Sequence, residues 1–177
     1  FTMYPALPAT FAYHGNIMSF ATGIGGALTI FTILATIWKH GIIPTPALFL
    51  ILGGFVMYIL DGVSAIIISN VAWNFKLHGT MWAGGHAMVV LIAISALWMG
   101  ILYYHYPLMT NRTIDDSTAR SCIKYFFISY IGLFYTFLAA GAAGMPRRNG
   151  AWESDWYIYG IFMLIFGVMM LYAFLLY

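Results

Sequence analysis

His86 is the residue with the clearest capacity for chemistry, because it follows Gly84 and Gly85 within a long apolar segment. A neutral imidazole can ligate a metal ion or haem iron. Two residues without side chains would let a flat macrocycle approach the backbone. The alternative is a histidine that hydrogen-bonds to a neighbouring helix, with the glycines serving ordinary helix packing. The residue types leave both interpretations open.

Met88 lies two residues beyond His86. On an α-helix, residues at this spacing are about 200° apart, so the two side chains point to opposite sides. If both were ligands, they would hold two different cofactors with the helix between them. Met88 could equally be packing material, because the chain has 11 methionines and methionine fills irregular gaps in cores.

Asp61 stands in the middle of another apolar segment. Ionising a carboxyl group in lipid is costly, so a residue of this kind is by default a candidate for function. One hypothesis is a proton-relay station that burial keeps protonated. The other is a protonated carboxyl group that bonds to a serine or a carbonyl of a neighbouring helix.

A second polar group comprises His78, just before the segment of His86, and Arg147 and Arg148, in the loop at residues 144–150. His78 could bind a metal or an anionic cofactor group, or it could simply face interfacial water. The adjacent arginines offer forked donors suited to carboxylates or phosphates, or they mark the membrane boundary. Two apolar segments separate these loops, so both fall on the same side. A ligand histidine with a positive cluster at its mouth would suit a haem with ionised propionates.

The composition predicts the setting of these residues. Of 177 residues, 63% are hydrophobic and only 7% are charged, whereas a soluble domain has about 25% charged residues. The sequence therefore predicts an integral membrane protein. A net charge of +2 is too small for a nucleic-acid-binding surface. The single cysteine, Cys122, excludes an intramolecular disulfide and a cysteine-rich metal site.

A membrane-spanning helix needs about 20 apolar residues, and five segments qualify. Proline at position 46 opens the second, Pro107 is expected to lie beyond the third, and Asp115 and Asp116 suit the start of the fourth helix. The apolar runs do not alternate with polar residues, which argues against a β-barrel. We therefore predict an all-α bundle forming one transmembrane domain over residues 1–177, with spans at about 16–38, 46–70, 80–104, 117–144 and 155–177.

Several stretches, in this order, resemble the C-terminal part of subunit I of the haem–copper terminal oxidases, the cytochrome c and quinol oxidases. The resemblance covers nearly the whole chain and corresponds to roughly the last five of the family's twelve helices. The most specific motifs are the His-Gly-Thr stretch that leads to His86 and the loop with the arginine pair. The stretches are Ile33-Leu34-Ala35-Thr36-Ile37, Pro46-Ala47-Leu48, residues 77–86, Thr113-Ile114-Asp115 and Gly144-Met145-Pro146-Arg147-Arg148.

The resemblance implies a role for four of the residues above. His86 matches the proximal axial ligand of the high-spin haem, at which oxygen is reduced. His78 matches a histidine near the propionates of that haem that helps to hold a magnesium ion. Arg147 and Arg148 match the arginine pair that binds the propionates.

The sequence also departs from the family pattern. Met88 stands where a second histidine usually ligates the low-spin haem, and a methionine ligand would raise the reduction potential of that haem. Gly79 replaces an acidic metal ligand, Thr29 replaces a lysine that serves a proton channel, and Asp61 stands where glycine is common. We therefore assign Asp61 and Thr29 to a candidate proton path.

The family's copper-ligating histidines lie earlier in its sequence, so this chain is expected to be half of a split subunit or a fragment. Its expected partners are a chain with the N-terminal half, a subunit II-like electron-entry protein, the lipid bilayer, and a cytochrome c, copper protein or quinol as donor. The resemblance implies oxygen reduction with proton translocation in a bacterial or archaeal plasma membrane or in the mitochondrial inner membrane. The alternatives are nitric oxide reduction, a degenerate relative with one haem or none, and a cofactor-free proton-translocating subunit that works through Asp61.

Overall fold

A computed structural model describes residues 8–151 and 153–177 of the chain. Within these two ranges the fold is all-α and contains no strand, and five of its helices are long and apolar enough to cross a membrane. The predicted fold class is confirmed. The helices are α1 (Ala9–His40), α2 (Pro46–Ser69), α3 (Val71–Leu77), α4 (Met81–Thr110), α5 (Asp116–Ala142) and α6 (Tyr157–Leu176).

The starts of two long helices follow local capping chemistry. Thr45 caps α2, since its side chain accepts a hydrogen bond from the backbone N–H of Leu48 at 3.2 Å. Asp115 caps α5 by accepting from the N–H of Thr118 at 2.8 Å. Hydrogen bonds from Thr118 stabilise the ionised carboxylate of Asp115 and lower its pKa below the ordinary value.

Three features differ from the sequence-based expectation. Helix α1 begins at Ala9, about seven residues before the expected start of the first span. The sequence predicts that helix α4 ends before Pro107, but the helix continues through this proline to Thr110. Asn111, which has a left-handed φ of 53°, caps its C-terminal end. Transmembrane helices tolerate proline because neighbouring groups satisfy the freed backbone carbonyl. The short helix α3 was not predicted. It begins at the Asn70 cap, whose side chain accepts from the N–H of Ala72 at 3.0 Å.

Helices α2, α4, α5 and α6 pack in that order into the body of the bundle. Small residues bring α2 and α4 together at two levels. A β-carbon at Gly54 would lie 2.9 Å from the Ala93 carbonyl oxygen, and one at Gly100 would lie 2.8 Å from that of Ala47. Close backbone approach at small residues is the usual basis of helix association in membranes. It fixes the depth of α2 against α4.

Helix α1 lies beside α2 and α3, outside this packed body. No residue of its membrane-spanning window is buried, and Phe31 is 71% exposed. The loose packing of α1 leaves a space between it and the pair α2 and α4, and the candidate site lies in this space.

Candidate functional site

A cavity of about 860 Å³ opens between α1, α2 and α4. This volume is in the range of about 300–1,000 Å³ that is typical of cofactor and ligand sites. Its wall is mostly apolar, and His86 and Asp61 both contribute to it. Gly23 and Gly62 also line it, and a β-carbon at either would meet no atom within 4 Å. The two glycines thus widen the cavity at backbone level.

Two titratable residues of the cavity wall, on α4 and α2, are in direct contact. The Nδ1 atom of His86 lies 3.0 Å from Oδ1 of Asp61, across the interface of α4 and α2. Asp61 is 1% exposed, whereas the His86 side chain is 32% exposed. An ionised carboxylate only accepts hydrogen bonds, so opposite an ionised Asp61 the imidazole donates through Nδ1. The lone pair of Nε2 is then available for a metal ligand bond.

The Asp61 carboxylate has a second neighbour on its own helix. The buried Ser64 hydroxyl lies 3.0 Å from Oδ1 of Asp61 and 2.8 Å from the Asp61 carbonyl oxygen. The Trp82 indole N–H donates to the Ser64 carbonyl at 3.4 Å, which ties this turn of α2 to the start of α4. Asp61 is therefore held in place independently of His86.

Two loops are bound to each other at one end of the cavity. The backbone N–H of Arg147 donates to the carbonyl of Gly79 at 3.1 Å, and the N–H of Met81 donates to that of Met145 at 2.8 Å. Met145 is fully buried and anchors its loop. This pairing brings Arg147 to the cavity wall together with His78. Their proximity follows from backbone hydrogen bonds rather than from contact between the side chains.

This end of the cavity contains polar atoms that the described residues leave unsatisfied. Nδ1 of His78 and Oδ1 of Asn74 are buried without a hydrogen-bond partner there. Burial and the positive charges of Arg147 and Arg148 lower the pKa of His78 from its ordinary value of 6.5. An unsatisfied buried polar atom costs about 1–3 kcal/mol, so these atoms fit an additional polar group in the cavity. Beside Arg147, Nδ1 of His78 can donate to an anionic group such as a haem propionate, whereas Oδ1 of Asn74 is an acceptor and needs a donor.

The other predicted residues lie away from the cavity. Arg148 is exposed and has a left-handed φ of 63°. Met88 is 52% exposed and is not part of the buried core of the described residues. The Thr29 hydroxyl donates to the carbonyl of Gly25 in its own helix at 3.0 Å. None of the three lines the cavity.

The structure refines the metal and glycine expectations. Within residues 8–151 and 153–177, no group of three or more His, Cys, Asp or Glu side chains could hold a metal ion. A magnesium ion at His78 would thus require ligands of another kind or from another chain.

Gly85 serves helix packing, because a β-carbon there would lie 2.4 Å from Cβ of Phe137, and Gly84 faces open space.

Sequence reasoning missed Ser64 and Asn74 as members of the site. Asn74 is 7% exposed, and its Nδ2 donates to the carbonyl of Ile68 at 2.7 Å. It lies four residues before His78, one helical turn away. This spacing could have indicated that Asn74 and His78 share one face of a helix, but a single polar residue near a loop is not specific for a site.

Comparison with known proteins identifies the family. The sequence profile of the family described as "Cytochrome C and Quinol oxidase polypeptide I" matches residues 1–175. The chain belongs to this family. Membership in the subunit I family confirms the resemblance that the motifs indicated, and the five apolar helices confirm an integral membrane protein.

Individual members of the subunit I family show moderate similarity. Cytochrome c oxidase subunit 1 of Thermostichus vulcanus is 29% identical over 143 residues, which are 78% of this chain and 25% of that protein. Cytochrome c oxidase polypeptide 1 of Halobacterium salinarum is 31% identical over 74% of this chain and 22% of its own length. Subunit 1 of Albinaria turrita is 27% identical over 71% of this chain and 68% of its own length. The chain thus spans about a quarter of the length of two of these relatives.

Proposed function

We propose that this chain forms the C-terminal part of the catalytic subunit of a terminal respiratory oxidase. The complex would reduce oxygen to water and translocate protons, with a cytochrome c, a small copper protein or a quinol as donor. The contact between His86 and Asp61 carries the proposal, because it leaves Nε2 of a cavity-lining histidine free to ligate. A haem bound there would supply the iron at which oxygen is reduced.

The chain's own residues would bind and orient this haem from two directions. His86 would hold the haem iron through Nε2 and thereby keep the haem beside α4. Arg147 and His78 would donate hydrogen bonds to the propionates at the other polar end, where His78 Nδ1 lacks a partner among the described residues. Arg148 would contribute mainly long-range positive charge, because it is exposed.

The remaining ligands are proposed to come from partner chains. A chain with the N-terminal half of subunit I would supply the copper ligands, and a subunit II-like protein would deliver electrons. Met88 faces away from the cavity and is half exposed, so it would be available to a second, low-spin haem shared with that N-terminal half. The exposed face of α1 would contact either this partner or lipid.

The main alternative is a degenerate relative with a structural or proton-path role. Met88 in place of a histidine and Gly79 in place of an acidic ligand favour it. The unsatisfied polar atoms at His78 and Asn74 speak against it, because a degenerate site has no reason to retain them. The structure favours a cofactor-free proton path through Asp61 less, because the hydrogen bond of Asp61 to the candidate haem ligand already gives this carboxyl group a role in the proposed haem site.

Composition and turnover of the native complex test the proposal. The complex is purified by a tag on this chain, and haem and copper are quantified per chain together with donor-dependent oxygen uptake. We expect at least one haem and one copper per chain and oxygen uptake that cyanide inhibits. A complex without copper and without oxygen uptake would support the degenerate relative and contradict the proposal.

A further inference from the structure

We propose that Asp61 is a positioning residue that fixes the tautomer of the His86 ligand and increases electron donation from its imidazole to the haem iron. The inference rests on the proposed function, because it assumes that His86 ligates haem. It goes beyond that function by assigning to this chain a strongly basic proximal ligand. The resemblance to subunit I does not supply this feature, since glycine, which has no side chain to bond, is common at this position.

The geometry first restricts the tautomer. Nδ1 of His86 lies 3.0 Å from Oδ1 of Asp61, so an Asp61 carboxylate accepts the N–H of the imidazole at Nδ1 and leaves the lone pair on Nε2. Ligating histidines in metalloproteins commonly donate their other N–H to a carboxylate or carbonyl, which fixes the ring and raises its basicity. A carboxylate polarises the N–H more strongly than a neutral carbonyl, because charge-assisted hydrogen bonds are about twice as strong as neutral ones.

The surroundings direct the carboxylate toward His86. No Lys or Arg side chain forms an ion pair with Asp61 in the described parts of the chain, and Ser64 is its only other side-chain partner there. Asp61 is 1% exposed, so solvent screens its charge weakly. The imidazole of His86 is therefore the group on which the Asp61 carboxylate acts most strongly.

Two further contacts make this turn of α2 rigid. The buried Tyr130 hydroxyl on α5 donates to the Met57 carbonyl at 2.8 Å, one turn before Asp61. The Trp82 indole on α4 bonds to the Ser64 carbonyl, nearly one turn after it. The carboxylate thus has little freedom to turn away from His86. A second-shell group needs such support to orient a ligand.

Greater electron donation has a defined consequence for a haem. It stabilises the ferric state relative to the ferrous state and thus lowers the reduction potential, for which second-shell hydrogen bonding is a recognised control. It also strengthens the bond from iron to Nε2. Asp61→Asn should reverse both effects while retaining a hydrogen-bond acceptor for Nδ1. Asp61→Glu should preserve the carboxylate and largely preserve both properties.

The test uses the purified native complex with Asp61→Asn, Asp61→Glu and Ser129→Ala. Ser129 is a matched control, since its buried hydroxyl bonds to the Tyr125 carbonyl of its own helix and does not reach the cavity. The readouts are haem content, the iron–histidine stretching band of the ferrous high-spin haem by resonance Raman spectroscopy, and its midpoint potential. Oxygen uptake is not needed.

In Asp61→Asn we expect retained haem and a lower stretching frequency. At the wild-type midpoint, the ratio of reduced to oxidised haem should rise at least tenfold, which corresponds to about 59 mV for one electron. Asp61→Glu and Ser129→Ala should remain close to wild type. An unchanged band and an unchanged potential in Asp61→Asn would overturn the inference.

A further measurement needs no variant and remains decisive if Asp61→Asn does not assemble. The wild-type ferrous haem should show a higher stretching frequency than haem with a neutral imidazole ligand, and an equal frequency would overturn the inference. The outcomes also separate the two proposals. The absence of haem in wild type contradicts the proposed function. If haem is lost in His86→Ala but its stretching band and midpoint potential are unchanged in Asp61→Asn, only this inference is contradicted.

Discussion

The backbone N–H of Arg147 donates to the carbonyl of Gly79, 3.1 Å away, and this bond joins the loop after α5 to the start of α4. It sets the Arg147 side chain beside the cavity but does not set that of Arg148, whose backbone is left-handed. Adjacent arginines that look equivalent in the sequence therefore have different surroundings.

Arg147→Ala should weaken haem retention more than Arg148→Ala does. Only Arg147 lines the cavity, and hydrogen bonds to charged groups contribute about 1.5–3 kcal/mol, equivalent to roughly a tenfold to hundredfold change in affinity. The measurement is the rate of haem loss from the detergent-solubilised complex to an apo-globin acceptor. Equal rates in the two variants would show that the loop geometry does not distinguish the arginines.

Gly141→Ala should destabilise the junction of α5 with α4. A β-carbon at position 141 would lie 2.1 Å from the backbone nitrogen of Trp82, so the helices must separate. Overpacking of this kind costs about 1–3 kcal/mol. Gly167→Ala is the matched control, because a β-carbon there meets nothing within 4 Å. Thermal unfolding in detergent should show a lower midpoint for the first variant alone.

Acid should destabilise the loop end of the cavity through His78. Burial and the nearby arginines lower the pKa of His78 in the folded chain below 6.5, so the unfolded chain takes up a proton first as the pH falls. The stabilisation is complete above about pH 6.5 and is lost as the pH falls through the folded pKa. Thermal midpoints measured between about pH 7.5 and 5 should therefore fall less steeply in His78→Gln than in wild type. Parallel slopes would contradict this assignment.

Met88→Leu should remove a low-spin haem signal while leaving the high-spin haem bound to His86. The two side chains lie on opposite sides of α4, and the Met88 thioether is exposed for ligation. Met109→Leu is the control, because Met109 is on the same helix and is 81% exposed. Reduced optical spectra provide the measurement. If the low-spin band survives in Met88→Leu, another residue ligates that haem.

Much of the fold could be predicted from the sequence, because five long apolar runs can only be buried in a membrane as helices. The short helix α3 could not, since its seven residues carry no apolar periodicity and depend on the Asn70 cap. The continuation of α4 through Pro107 also depends on its surroundings rather than on local propensity. Sequence patterns thus predict spans better than they predict helix ends.

Of the site, the sequence singled out His86, Asp61, His78 and Arg147, but it did not predict how they are paired or that Ser64 and Asn74 lie beside them. The sequence leaves Asp61 either as a proton-relay candidate or as a protonated carboxyl group bonded to a serine or carbonyl of a neighbouring helix. Its contact with His86 depends on how α2 and α4 are rotated against each other. The distances of the two residues from their helix ends could have indicated that they lie at a similar level. At 1.5 Å per residue, Asp61 lies about 12 Å before the end of α2 and His86 about 8 Å after the start of α4. Close approach at Gly54 and Gly100 then brings them into contact.

The most direct test of haem ligation by His86 is the carbon monoxide difference spectrum of the reduced native complex, measured for wild type, His86→Ala and His105→Ala. His105 is an exposed histidine on the same helix that does not line the cavity. We expect a carbon monoxide-sensitive haem in wild type and in His105→Ala, and its loss in His86→Ala. A signal of undiminished amplitude in His86→Ala, or no such signal in wild type, would contradict it.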